Sequence, residues 1–563
     1  MKTKLFLIAL ITCTISANAQ IHVWTKGIIG SVNTDVYGQR TYVEPSGNAV
    51  YTFGEYSNYS STNSITIDPG GANQELSTIA TIPLANYLVK MTTDGQLIWA
   101  HSFNSTLFIQ LNSISADAAG CCYINGNFNG SFDADPGNSI HQMTSNVGMA
   151  NFLLKLDADG NFVWAQQFDR ASIIDIAIRS NAVFCVGYFS ETVDFDNGPG
   201  NSSLTATDNQ DCFVMRLNTD GEYQWVKQFG STNNTPDDIE YATEINVTPD
   251  GMINVSGIFS ESGDFNPELG ITTLTAVGGT DVFLMRLSAM GDFQWVVSTG
   301  TSIKEYTPRM TTSASGTIYL SATTIQPNNN APLEDIFIAR FSPNGSLLWS
   351  KLIGGENSDQ AISVNVDEED NLYLMGDFGS ANFNVDPGAG GTSLHCVDLE
   401  FMNGYFLKFT PEGDLSWATS LTGSLNSIWK SSYHSGFLYT TGYFRGDLDM
   451  APGTPVYQLN GNGERLSSYL SKLDVSHTLG NPDLETQLDL PFKLYPNPAQ
   501  SITYAELQPG SVVTVYDLAG AVLMQQTVQQ EITALNTEKL VSGTYLVEVQ
   551  QNGQKLVQKL VKD

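Results

Sequence analysis

The chain has 563 residues, 41% hydrophobic and only 15% charged, with 25 Lys+Arg against 58 Asp+Glu and a formal net charge of −33. That length exceeds one ordinary domain. The acidity argues against gripping a phosphate backbone, which needs clustered Lys and Arg, and against docking on an anionic membrane surface.

At the N-terminus, Lys2 and Lys4 precede an apolar run over residues 5–15, interrupted only at 12–14. Ala17-Asn18-Ala19 follows. This is the pattern of a secretory signal peptide, residues 1–19, cleaved after Ala19. The run is too short for a spanning helix, which needs about 20 apolar residues. No later stretch has that character, which predicts no transmembrane segment.

Seven of the eight Trp share one context: Trp24, Trp99, Trp164, Trp225, Trp295, Trp349 and Trp417. Each of the last six follows a strand of one type. Examples are Tyr87-Leu-Val-Lys-Met91, Phe152-Leu-Leu-Lys-Leu156, Phe213-Val-Met-Arg-Leu217 and Phe283-Leu-Met-Arg-Leu287. Between that strand and the Trp strand lies a turn: Asp94-Gly95, Asp159-Gly160, Asp220-Gly221, Met290-Gly291, Asn344-Gly345 or Glu412-Gly413. Asp-Gly and Asn-Gly are strong hairpin signals because the turn needs positive φ. A second hairpin precedes each of these, ending in strands such as Phe184-Cys-Val-Gly-Tyr-Phe189 and Asn371-Leu-Tyr-Leu-Met-Gly-Asp-Phe378. Four strands in each repeat match a long propeller blade.

The ends fix the count. Ser468-Tyr-Leu-Ser-Lys-Leu473 is a seventh copy of the strand before the turn, with no Trp strand after it, whereas Trp24 opens a Trp strand with nothing before it. Joining the halves predicts an all-β fold, a seven-bladed β-propeller over residues 20–476 closed by the N-terminal strand. Closure would also protect exposed sheet edges. A row of separate β-sandwiches would leave both half-units unpaired. The repeats resemble the bacterial extracellular β-propeller repeat family, most clearly at Gly354-Gly355, Asp359, Asp367, Asn371-Leu-Tyr373 and Gly376. The resemblance implies a fold and an exported location but no single activity.

Residues 477–490 carry Gly, Pro and three acids without a base and read as a linker. Residues 491–563 predict a small Ig-like β-sandwich of short strands and Gly turns. Tyr495-Pro496-Asn497-Pro498, then Tyr516, Asp517 and Gly520, then Gly543 and Tyr545 stand in order. This segment resembles the C-terminal sorting domain of the type IX secretion system. The resemblance implies a Bacteroidetes-type bacterium, periplasmic transit and recognition by the type IX machinery at the outer membrane. It further implies removal of the domain, and release or anchoring at the cell surface.

One motif recurs between the second and third strands: Asp68-Pro-Gly70, Phe132-Asp133-Ala-Asp135, Asp194-Phe-Asp196, Asp264-Phe-Asn-Pro267, Asn382-Phe-Asn384 and Asp447-Leu-Asp449. Carboxylates two apart in a Gly-bearing loop can wrap calcium, which makes Asp133, Asp135, Asp194, Asp196, Asp447 and Asp449 candidate ligands. The same pattern also makes Asx and Pro-Gly turns, the favoured reading, because no downstream bidentate Glu recurs. No other cofactor is implied. Five cysteines follow residue 19, and Cys185 and Cys212 fall on neighbouring predicted strands, near enough in sequence pattern for a disulfide. No Cys-x-x-Cys and no Gly-x-Ser-x-Gly elbow occurs. Glu240, Glu244, Asp359 and Asp367 lie near predicted first strands, where a channel would run. Trp429, outside the repeat register, lies near the channel mouth of the seventh blade. No residue is assigned as catalytic.

The expected function is that of a secreted or cell-surface binding or adhesion module for an extracellular polysaccharide, protein or matrix, with no nucleic-acid partner. A polysaccharide lyase or hydrolase with its site in the channel is the alternative, and a structural surface component a third.

Overall fold

The computed structural model describes residues 21–562 apart from 32, 59–63, 68–73, 78–83, 208, 232–238, 327–332, 387–390, 397–400, 422, 424, 451–457, 477–493, 496–498, 508, 517–521, 531 and 552–553. The expected signal peptide and linker lie outside these residues. The described residues form strands, with no helix among them, and none that is long and apolar enough to cross a membrane. The chain divides into two compact units, Met1–Thr478 and Leu479–Asp563.

The larger unit repeats one antiparallel pattern. Its first sheet runs Thr34–Val43, Ala49–Asn58, Leu84–Thr92, Leu97–Phe103. The same order of four recurs in sheets that begin at Phe108–Ala116, Ala171–Arg179, Glu240–Val247, Glu305–Thr312 and Asp359–Val366. A seventh group takes three strands from Leu425–His434, Phe437–Arg445 and Leu466–Asp474, and its fourth, Ile21–Gly30, from the other end of the unit. That pairing is antiparallel from Ile21↔Asp474 to Ile28↔Ser468. Each first strand touches the first strand of the next group, and that of the seventh touches that of the first.

Burial explains the sequence pattern. Second and third strands are covered on both faces by neighbouring sheets, so they read as nearly unbroken apolar runs. All seven residues of Ala150–Leu156 are buried. Tyr51 and Leu88 of the first sheet pack with Ile124 and Phe152 of the second in one core, and Tyr87 packs with Tyr439 and Leu470 across the first and seventh.

A seam of identical contacts joins successive sheets. The indole N–H of Trp99 and the ammonium of Lys90 both donate to Ala158 O, at 3.1 and 3.0 Å, in the turn of the next sheet. Trp164 and Lys155 share Thr219 O, Trp295 and Arg286 share Pro343 O, and Trp349 and Arg340 share Pro411 O. In the third sheet only Arg216 reaches its carbonyl, Ala289 O, and Trp225 Nε1 has no partner. Trp24 and Lys472 share Thr93 O at 3.1 Å each, so the two ends of the unit meet the first sheet by the same contact. Six of the seven seam cations rest on a ring of their own sheet, as Lys90 does on Tyr51 at 5.0 Å; in the fourth sheet Asn254 stands opposite Arg286 instead. The turn glycine explains itself here: Gly95 has φ 79°, and a Cβ on it would meet the Trp24 indole at 3.2 Å. The sixth sheet has no such turn ahead of it, because the outer strands of the seventh are not joined in sequence. There Lys408 pairs with Asp367 at 3.3 Å instead.

No disulfide joins any of the five described cysteines. Cys185 aligns with Met215, and Cys212 with Tyr188, so the two cysteines sit three residues apart in register and no disulfide joins them.

The smaller unit has two sheets. One orders Leu494–Tyr495, Ile502–Glu506, Ile532–Asn536; the other Val522–Thr527, Val512–Tyr516, Gly543–Gln551, Gln554–Lys562. Val513, Val515, Tyr545, Val547 and Leu560 form its core, and Tyr545 O–H donates to Val541 O at 2.7 Å.

Candidate functional site

Every first strand of the larger unit carries a register break at the same place. A bulge leaves one residue unpaired and re-aims the side chains beside it. The residue that resumes the pairing is Arg40, Ser113, Asp175, Glu244, Arg309, Ser363 and Lys430 in turn. Seven equivalent positions thus put three cations, two carboxyls and two serines in one layer. The bulged residues themselves include Gln39, Asn112, Ile174, Ile362 and Trp429. In the fifth sheet Pro308 lacks the N–H that pairing needs, so the break spans two residues there. Thr307 before it holds φ 45°, a strained value for a β-branched residue.

The layer separates two recesses. The larger, about 490 Å³, is lined by Gln39, Gln110, Asn112, Asn127, Thr307, Arg309, Gln360, Asp377, Trp429 and Tyr443. The smaller, about 280 Å³, is lined by Ser113, Asp175, Arg179, Glu244, Asn246, Lys430 and Ser432 among others. Arg40 lines both. Trp429 is 37% exposed, its ring 6.0 Å from that of Tyr443.

The layer is tightly wired. Glu244 Oε1 accepts from Arg309 Nη1 at 3.1 Å, and its Oε2 lies 3.8 Å from Lys430 Nζ. Asp175 takes neutral donors, Ser113 Oγ at 2.5 Å and Ile245 N at 3.1 Å. Arg40 Nε donates to Asn112 O and Arg309 Nε to Ile362 O, both at 2.9 Å. These environments split the two carboxyls. Burial, then the neighbouring Glu244 charge, raises the pKa of Asp175. Burial would raise Glu244 as well, but Lys430, Arg309 and Arg40 together outweigh it and hold it low. Lys430 is pushed down to about 8, by burial first, against the pull of Glu244. Asp377, buried in the wall of the larger recess, is pushed up to about 7 by desolvation, although Ser427 Oγ and Ile428 N donate to it.

Of the four acids expected near a channel, Glu244 lines the smaller recess and the other three line neither recess. Glu240 and Asp359 are buried between sheets, Asp359 accepting from Ser380 Oγ at 2.8 Å. Asp367 serves the seam. Arg40, Asp175, Arg309 and Lys430 went unseen in the sequence. The signal that finds them is an alignment of the first strands, each residue standing four positions after Val36, Ala171, Glu305 and Asn426 respectively.

The aspartate loops lie elsewhere. Asp133 Oδ1 accepts from Asp135 N and His141 N, at 3.0 and 2.9 Å, and Asp135 Oδ1 from Gly137 N at 2.8 Å. Asp194 and Asp196 repeat this with Asp196 N, Ser202 N and Gly198 N. Asp447 Oδ2 accepts from Gln458 Nε2 at 3.1 Å, and Asp449 ends the same short strand. Among the described residues no three His, Cys, Asp or Glu are grouped to hold a metal ion. Asp68-Pro-Gly70 falls outside the described residues.

In the smaller unit, Tyr495, Tyr516, Gly543 and Tyr545 stand on strands. Pro496, Asn497, Pro498, Asp517 and Gly520 lie outside the described residues. Residues 493–563 match the secretion system C-terminal sorting domain. The chain is therefore exported through the type IX route, to the medium or the outer cell surface.

A curated relative, the uncharacterized WD repeat-containing protein L264 of Acanthamoeba polyphaga mimivirus, is 22% identical over 435 residues, which are 69% of this chain. The match spans 28% of that relative's length. Among solved structures, PorZ, an essential surface component of the type IX system of Porphyromonas gingivalis, is 11% identical with a TM-score of 0.20, over 96% of this chain and 100% of that one. The polysaccharide lyase Uly1 is 10% identical with a TM-score of 0.41, over 81% and 100%. Drosophila Semaphorin 2a is 6% identical with a TM-score of 0.34, over 95% and 98%.

Proposed function

We propose that residues 20–476 are a seven-bladed β-propeller closed by the N-terminal strand, working outside the cell as a non-catalytic binding module for a polysaccharide. Three facts support closure: the pairing of Ile21–Gly30 with Leu466–Asp474, the Trp24 and Lys472 contacts to Thr93, and the unbroken circuit of first-strand contacts. One observation carries the binding reading. The larger recess sets the exposed indole of Trp429 beside the amides of Gln39, Gln110, Asn112, Asn127 and Gln360. An aromatic face with amides around it suits a sugar ring, which offers C–H groups on one face and hydroxyls at its edge. The test is retention of the full chain on a glycan array. Retention that Trp429→Ala removes is the expected result, and retention that survives Trp429→Ala would move the site elsewhere.

A lyase or hydrolase is the second reading, favoured by one observation: Asp175 and Glu244 face one recess with their pKa values pushed apart, as acid and base partners require. Turnover of an array hit, lost in Asp175→Asn, would replace the binding reading with this one.

A further inference from the structure

The charge inside the channel runs against the charge of the protein. Residues 20–476 hold 18 Lys and Arg against 49 Asp and Glu. Seven of those bases serve the seam. Of the eleven that remain, four (Arg40, Arg179, Arg309 and Lys430) line the two recesses, against three acids, Asp175, Glu244 and Asp377.

The three acids are already engaged. Glu244 serves Arg309 and Lys430, Asp175 serves Ser113 and the Ile245 amide, and Asp377 serves Ser427 and the Ile428 amide. Glu244 and Asp175 act on Arg40 only through space, without a direct ion pair, and its hydrogen bond runs from Nε to a main-chain carbonyl. Its two terminal nitrogens make no ion pair among the described residues. Arg179 also has no ion-pair partner among them. A guanidinium withdrawn from bulk water is costly unless an anion meets it, and its planar fork fits the two oxygens of a carboxylate or a sulfate ester.

We propose that the channel takes an acidic glycan, whose carboxylate or sulfate group is held by Arg40 while a sugar ring lies on Trp429. The proposal rests on the reading of the larger recess as a glycan site and names the class of glycan. Arg40 fixes the anionic group, and Arg179 adds a second cation on the far side of the charged layer.

The test is calorimetric titration of the full chain with three tetrasaccharides: tetragalacturonate, a chondroitin sulfate tetrasaccharide and neutral cellotetraose. At least one acidic probe should bind about tenfold or more tighter than the neutral one, the scale of one charge-assisted hydrogen-bonded contact. Its affinity should weaken as sodium chloride is raised and fall about tenfold in Arg40→Gln. Tight binding by the galacturonate shows that a carboxylate suffices, and binding by the chondroitin sulfate, which carries both groups, is assigned to the sulfate ester where it is lost on desulfation of the same tetrasaccharide. Arg40→Gln removes a charge that no carboxylate meets in a direct ion pair, so its melting temperature should stay close to the parent's. A fold lost in Arg40→Gln would move the affinity comparison to Arg40→Lys, which keeps the charge but not the fork and should weaken the acidic probe. Equal affinity for acidic and neutral probes, or no binding of either acidic probe, overturns the proposal. A Trp429-dependent array hit on a neutral glycan would then leave the binding module standing without it.

Discussion

The outer seam and the inner layer of the larger unit are built on the same seven-fold register, yet they read as opposites. In the seam a Trp and a cation recur in sheet after sheet, because each pair does one job: it donates to a carbonyl in the next sheet's turn. In the inner layer the equivalent positions are Arg40, Ser113, Asp175, Glu244, Arg309, Ser363 and Lys430, with little repetition. Those side chains converge on one space and meet each other, so their identities are set jointly. Repetition marks the contacts that hold the sheets together, and its loss marks the place where they act as one.

The seam gives the largest expected effect. Trp99→Ala removes a buried indole from the core between the first and second sheets and leaves Lys90 alone on Ala158 O. The cost should be about 3–5 kcal/mol, read as a lower urea midpoint for the larger unit. Glycan binding at the folded plateau should not change. A change in affinity without loss of stability would show that seam and layer are not separable.

This division explains what could be read in advance. The Trp spacing, the x-Gly turns and the unmatched strands at the two ends carry the four-strand repeat and the pairing of the N-terminal strand, because each rests on a local pattern of identical residues. The sorting domain was legible for the same reason: residues such as Tyr516, Gly543 and Tyr545 keep a fixed order. The layer was not legible, because a charged residue on a strand looks like any solvent-facing position until the bulge is seen. Asp359 and Glu240 misled for the converse reason. They begin first strands, as a channel acid would, but lie between sheets.

Within the inner region the next effect is a pH dependence. Burial raises the pKa of Asp377 to about 7, whereas an unfolded Asp titrates near about 3.9. The folded state therefore holds this proton more tightly, so stability is full at low pH and declines as pH rises from about 4 through about 7. The decline due to this group should reach up to about 4 kcal/mol. Asp359, pushed up to about 6 chiefly by burial, acts in the same direction over a narrower window. In Asp377→Asn the fall in melting temperature between pH 4 and pH 8 should be shallower, and the variant should melt above the parent at pH 8. Parallel curves for parent and variant would mean that Asp377 is ionised throughout.

Glu244→Gln tests the wiring of the layer. It leaves Arg309 and Lys430 facing a neutral amide, at a cost of about 3 kcal/mol, the scale for breaking a buried pair from one side. Adding Lys430→Met should recover part of that loss, because the two residues are in contact and their effects are not additive. Equal losses in the single and double variants would show that Lys430 does not depend on Glu244. The single variant should also bind an acidic glycan more tightly, since the layer then carries one less negative charge.

The smallest expected effect concerns the aspartate loops, which repeat like the seam but lie apart from the layer. Calcium ligation needs several free oxygens aimed at one point. Asp133, Asp135, Asp194 and Asp196 each turn Oδ1 inward to backbone N–H groups of their own loop, as Asx turns do. A chelator should therefore leave the melting temperature of the larger unit unchanged, and added calcium should not raise it. A drop on chelation that calcium reverses would instead assign these loops to calcium. In that case Asp194→Asn should abolish the calcium response, whereas in a turn role Asn keeps the accepting Oδ1 and should leave the melting temperature nearly unchanged.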